Sequence, residues 1–342
     1  MAEVYAYKNT EEIVQKSSSG GAFLAICNAL EKEVGKGNVI YYGAAFRKDL
    51  MVQHISVVCA EECAIFQGAK YVESDYREVF PEVYKNLHDG KWVLFSGTPC
   101  QVAALKGYLS RRKIEMDRLV LLDLICHGTP KKEVWKDYRK WLEEKYNSSL
   151  IGYSFRYKPE GWKAYPAYAQ FSNGKKIINT AETSVYSRLH MLGYSTTKKC
   201  FQCPFAEEKR QGDITLGDYW GIEKLSLDIP MKSGVSLILV HSDLGRRLMN
   251  SLIQKSQKDK VTYCIQTVGN DYLKYQHNLQ RPTEKPEKYE EFWEKYECRS
   301  FSEMLQTYVG YGFKYRILFA IKKMVRKTPL IVWYRNHKDK NR

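Results

Sequence analysis

The chain has 342 residues, enough for one large or two modest domains with a sizeable core, and its 44% hydrophobic content excludes a largely disordered polypeptide. Lys and Arg number 54 against 39 Asp and Glu, a formal +15 that points to an acidic partner, an anionic ligand or an anionic membrane surface. Neither zinc-finger spacing nor an RNA-binding aromatic motif accompanies the charge, so nucleic acid is not indicated. The start, Met1-Ala2-Glu3-Val4-Tyr5, lacks the basic and apolar segments of a signal peptide, and no run approaches the length of a membrane span. The expected compartment is therefore the cytoplasm, where nine cysteines argue for reduced thiols, metal ligation or redox chemistry instead of a disulfide framework.

Residues 4–7 read as a first strand. The stretch Ser17-Ser18-Ser19-Gly20-Gly21 then opens into a helix whose Phe23, Ile26, Cys27 and Leu30 share one face and which ends near Gly35 and Gly37. A serine–glycine turn at a helix N-terminus offers free N–H groups, hydroxyls and the positive end of the dipole, a seat for phosphate or pyrophosphate; an ordinary serine cap gives the same pattern. Strands are expected over residues 39–46 and 54–58, with Cys59 and Cys63 filling core around a short helix. Lys70-Tyr71-Val72-Glu73-Ser74 reads either as a surface strand or as a flavin contact. Val79, Phe80, Val83, Tyr84 and Leu87 mark a helix stopped by Gly90.

Residues 93–96 form a short apolar strand that breaks into Gly97-Thr98-Pro99-Cys100, followed by a helix over 101–109. A second apolar strand, residues 119–125, ends at Cys126-His127-Gly128. Strands alternating with helices imply a mainly parallel, helix-covered sheet, an α/β fold. Trp135, Tyr138, Trp141 and Leu142 give a helix with an aromatic stripe of core type. From residue 151 the pattern alternates, and Asn173-Gly174 between two such runs predicts a hairpin, an antiparallel insert near 151–180. Cys200 and Cys203 follow with C-x-x-C spacing, then Gly212-Asp213-Ile214-Thr215-Leu216-Gly217-Asp218 as a strand. Residues 236–240 and a helix from 243 resume the strand–helix pattern. Residues 281–286 are a linker. The tail, 311–342, has ten Lys/Arg against one Asp, interleaved with apolar residues: a basic amphipathic helical segment suited to a membrane surface or a partner.

Cys100, Cys126, Cys200 and Cys203 supply four thiolates, a set that suits an iron–sulfur cluster or a structural zinc ion. One knuckle joined by two single upstream cysteines is more the layout of a cluster enclosed in one fold than of a two-knuckle zinc site. Two small buried thiols at Cys100 and Cys126 beside a separate Cys200/Cys203 redox pair or zinc half-site would read the same way.

Taken in order, the serine–glycine turn, the Lys70-to-Ser74 stretch, Gly97-Thr98-Pro99-Cys100-Gln101, Cys126-His127-Gly128, the C-x-x-C pair and the Gly212-to-Asp218 motif resemble the coenzyme F420 hydrogenase/dehydrogenase beta-subunit family, from about residue 4 to about residue 281. The resemblance implies an iron–sulfur flavoprotein oxidoreductase in which a 4Fe-4S cluster exchanges electrons with FAD, and FAD exchanges a hydride with a deazaflavin-type coenzyme or another small-molecule substrate. It implies Cys100, Cys126, Cys200 and Cys203 as cluster ligands. It implies Ser18, Ser19, Gly20, Gly21, Lys70, Tyr71 and Ser74 as flavin contacts. Residues 1–95 would form the flavin-binding part of the core, 96–280 the cluster-bearing part, and 281–342 the linker and tail.

Many relatives carry an N-terminal ferredoxin-like segment with C-x2-C-x2-C-x3-C-P runs; here no cysteine precedes Cys27. Electrons are thus expected from a separate ferredoxin or electron-transfer subunit, with the tail making peripheral contact at the inner face of the membrane. The competing expectation is a non-catalytic zinc- or cluster-binding adaptor that docks through its basic tail.

Overall fold

The structure, a computed structural model, describes residues 2–158, 161–164 and 166–326. Two compact units divide it: one comprises residues 1–132, 154–165 and 196–284, the other 133–153, 166–195 and 285 onward.

In chain order the elements begin with β1 (Glu3–Lys8), α1 (Glu11–Lys16), α2 (Ala22–Val34), β2 (Val39–Phe46), β3 (Val52–Val57) and α3 (Val79–His88). Next come β4 (Trp92–Gly97), α4 (Pro99–Arg111), β5 (Leu119–Leu124), α5 (Lys132–Tyr146), β6 (Leu150–Ser154), β7 (Tyr168–Phe171) and β8 (Lys176–Ile178). The chain continues through α6 (Ala181–Met191), β9 (Ile214–Asp218), β10 (Ser236–Val240), α7 (Asp243–Asp259), β11 (Tyr263–Thr267), α8 (Tyr289–Tyr296), α9 (Phe301–Val309) and α10 (Phe313–Arg326).

The first unit is built on an eight-stranded sheet in the order β11-β1-β10-β9-β5-β4-β2-β3. Its centre is parallel, as the strand–helix alternation predicts: β2, β4, β5 and β9 run the same way. Runs such as Val93-Leu94-Phe95 and Leu119 to Leu122 are apolar at every position because both faces are covered. Leu94, Val120 and Leu122 face α2 and α7, where Ile26, Leu30, Leu248 and Leu252 complete the core. Val93, Phe95, Leu119 and Leu121 face α3 and α4, against Val83, Leu87, Val102 and Leu105. The outer strands add a feature that local pattern did not reveal: β3 is antiparallel to β2, and β10, β1 and β11 continue the other edge antiparallel.

In the second unit β6, β7 and β8 form a three-stranded sheet. The hairpin expected at Asn173-Gly174 joins β7 to antiparallel β8, with Gly174 at φ +83° as its tight turn requires. Trp135, Tyr138, Tyr153 and Tyr186 make an aromatic core with centroid separations of 4.9–6.0 Å, so the α5 stripe is core as expected. The first half of the basic tail is helix α10; the part of the tail expectation covering 327–342 lies outside the described residues. Among the described residues no helix is long and apolar enough to cross a membrane.

Candidate functional site

Parallel strands leave their carboxyl ends on one edge of a sheet, and in α/β folds that edge collects ligands. Here β2 ends at Phe46, β4 at Gly97, β5 at Leu124 and β9 at Asp218. Since β10 is antiparallel to β9 and β1 to β10, the start of β10 and the end of β1 lie on the same edge. All six sequence motifs converge there.

Cys100 opens α4 one residue after Pro99, and its Sγ lies 3.1 Å from the Thr98 hydroxyl. Cys126 follows β5 by two residues. The C-x-x-C segment is pinned beside it by backbone contacts: Thr197 N–H donates to the Thr129 carbonyl at 2.9 Å, Cys200 N–H to the Thr197 carbonyl at 2.9 Å, and Pro130 bridges Thr196. Gly128 makes this approach possible. At φ +93° it adopts a conformation that favours glycine, and a Cβ there would meet Thr196 Cγ2 at 2.8 Å and Cys200 Cβ at 3.5 Å. Neighbouring thiols bear on Cys126 and Cys200. Packing, followed by the charges of Cys100, Cys200 and Cys203, pushes the Cys126 thiol up to about 12, and burial followed by Cys100 and Cys203 raises that of Cys200. Among the described residues no three His, Cys, Asp or Glu side chains form a group that could hold a metal ion.

The turn bearing Cys100 rests on a buried hydrogen-bond chain that the sequence did not reveal. Thr98 N–H donates to Gln101 Oε1 at 2.9 Å, and Gln101 Nε2 donates to the Ser74 hydroxyl at 2.9 Å. That hydroxyl lies 3.1 Å from His54 Nδ1, while His54 Nε2 lies 3.0 Å from the Ser96 carbonyl. A carbonyl only accepts, so Nε2 carries the proton and Nδ1 accepts from Ser74. Burial lowers the His54 pKa to about 4, keeping the ring neutral. Ser74, expected as a flavin contact, thus has its hydroxyl engaged inside the fold.

The Ser17-to-Gly21 turn precedes α2 as expected, with Gly21 at φ +79°. Ser17 donates to the Ile13 carbonyl, Ser19 to the Val235 carbonyl at 2.7 Å, and Gly20 N–H to the Ser236 hydroxyl at 2.9 Å. The Ser18 hydroxyl makes no hydrogen bond within the described residues. From beneath, the buried Lys158 ammonium donates to the carbonyls of Val14, Ser19 and Ser233 at 2.8–2.9 Å, and burial lowers its pKa to about 7. Lys70 donates to the carbonyls of Phe66, Gln67 and Gly68 and sits 5.8 Å from the Phe46 ring centre; burial lowers its pKa to about 8. Tyr71 packs edge-on against Phe155 at 5.6 Å, and Phe155 stacks on Phe46. Arg156 pairs with Asp218, which also accepts from the Trp162 indole N–H at 3.0 Å; Trp162 stacks on Trp220 at 4.5 Å and 7°. Arg156, Lys158 and Trp162 escaped the sequence reading because their partners are remote in the chain and no local periodicity marks them.

With this geometry in place, the comparisons decide the family. The family model for the carboxy-terminal part of the coenzyme F420 hydrogenase/dehydrogenase beta subunit matches residues 90–262, half of the chain. The chain belongs to this family. Its oxidoreductase character follows, and the matched residues include all four cysteines of the edge. Among solved structures, a chain from "Xenon derivatization of the F420-reducing [NiFe] hydrogenase complex from Methanosarcina barkeri" superimposes with a TM-score of 0.52 at 16% identity, covering 82% of this chain and 89% of that one. At that identity the likeness speaks for the fold. No curated protein matches.

Proposed function

We propose that the protein is an iron–sulfur flavoenzyme in which Cys100, Cys126, Cys200 and Cys203 hold a 4Fe-4S cluster and the serine–glycine turn, with Lys70 and Tyr71 nearby, holds FAD. One observation carries the reading: Cys100, Cys126 and the Cys200/Cys203 segment lie on the same sheet edge as the serine–glycine turn. When bound, the cluster supplies single electrons and the flavin couples them to hydride transfer with a deazaflavin-type coenzyme or another small molecule.

The chain's own part is positional. Gln101 fixes the Cys100 turn through Thr98, Gly128 lets the Cys126 loop close on Cys200, and Lys158 fixes the carbonyls beneath Ser19 so that the turn presents its outward groups to a phosphate. The buried Arg156–Asp218 pair next to Tyr71 leaves a polar but rigid wall. A basic surface favours an acidic electron donor, a ferredoxin or a partner subunit.

The test is substitution under anaerobic conditions. Cys100→Ser and Cys126→Ser are expected to abolish iron binding and the broad visible absorbance while leaving the fold intact. Full iron content in both variants, with activity retained, would refute the ligand assignment and return Cys200 and Cys203 to the role of a redox pair.

A further inference from the structure

We infer that α10 is an interfacial helix that seats the protein on an anionic lipid surface. One side of the helix is fixed to its own unit: the Tyr315 hydroxyl lies 2.9 Å from that of Ser184, Arg316 pairs with Glu182 at 3.5 Å, and Lys323 donates to the carbonyls of Ile178 and Asn179 at 3.2 and 2.8 Å. At 100° per residue the opposite arc carries Phe313, Ile317, Leu318, Ile321 and Met324, exposed by 79, 43, 52, 45 and 63%. Five large apolar side chains on one turn-to-turn stripe need a partner.

Charge decides which partner. Helix α10 contains no Asp or Glu, and Lys314 and Lys322 stand exposed within and beside the stripe. On β8, to which Lys323 bonds, Lys176 and Ile178 are also exposed and alternate with buried Ile177. The sequence beyond, 327–342, holds five Lys/Arg against one Asp. A second copy packed stripe to stripe would bring cations against cations. A protein groove would need acidic rims, whereas a bilayer of anionic lipid supplies apolar depth and a negative plane together. The docked side of α10 sets the helix axis, so the stripe meets the surface without rearrangement.

The experiment is cosedimentation of the full-length protein with vesicles of phosphatidylcholine alone or mixed with phosphatidylglycerol at about one part in three. The expected result is binding to the mixed vesicles only, weakened by salt. Ile317→Asp/Ile321→Asp and, separately, Lys314→Glu/Lys322→Glu should each weaken it roughly tenfold or more, with the thermal midpoint and cofactor content unchanged. These positions are exposed, and a variant that melts like the parent reports on the face alone. Absence of binding to the mixed vesicles overturns the inference. So does undiminished binding by the Ile317/Ile321 variant, or a dimer that the same substitutions abolish without any vesicle binding.

Discussion

A neutral His54 imidazole, bonded on both sides and 5% exposed, ties stability to pH. Its pKa falls from the ordinary 6.5 to about 4 on folding. Between these values the unfolded chain binds a proton that the folded one does not, so this contribution is complete above pH 6.5 and declines as pH drops towards 4. By pH 5 the loss is about 2 kcal/mol. Urea unfolding at pH 7.5 and pH 5 should show His54→Gln losing less on acidification than the parent; equal losses would contradict the assignment. Gln101→Ala leaves Thr98 N–H and the buried Ser74 hydroxyl short of a partner, an expected cost of about 1–3 kcal/mol, measurable by the same unfolding curves. A larger effect on iron retention than on stability would mark Gln101 as a positioning residue for Cys100. The placement of Cys100 and Cys126 just past strand ends was legible in the sequence, but this chain of His54, Ser74 and Gln101 was not, since each member alone is an unremarkable polar residue.

Among the elements, the serine–glycine turn shows how much an apparently generic motif depends on distant neighbours. A Cβ on Gly20 would stand 2.2 Å from the Tyr7 carbonyl oxygen and 2.5 Å from Ser236 N, both backbone atoms of sheet strands. Gly20→Ala is therefore expected to destabilise by about 3 kcal/mol or more, by overpacking against atoms that cannot yield. Thermal unfolding checks this; a shift of under about 1 °C would show that the loop moves freely. Lys158→Met removes three charge-assisted donors from beneath the same turn and should lower flavin retention more than it lowers the melting temperature. Sequence located the turn at a helix start, yet it left open whether the serines capped the helix or faced a ligand. In the fold the Ser17 and Ser19 hydroxyls bond to carbonyls and the Gly20 N–H to the Ser236 hydroxyl, which leaves the Ser18 hydroxyl as the serine side chain of the turn without a hydrogen bond among the described residues.

Over the whole molecule, the parallel centre was readable because β4 and β5 are apolar without alternation and each is followed by a helix. The antiparallel flanks were not. Pairing of Glu3 with Val240 and of Val4 with Thr267 joins segments remote in the chain, and no local pattern encodes such a partner. That distant pairing is also what brings the N-terminal turn to the edge where the cysteines gather. The family match over residues 90–262 independently covers the cysteine-bearing half. The most direct measurement is an absorbance spectrum of anaerobically purified protein with iron, zinc and flavin assays. The expected result is about four iron atoms and one flavin per chain with a broad shoulder near ~400 nm; stoichiometric zinc with no flavin would contradict the central claim and favour the adaptor.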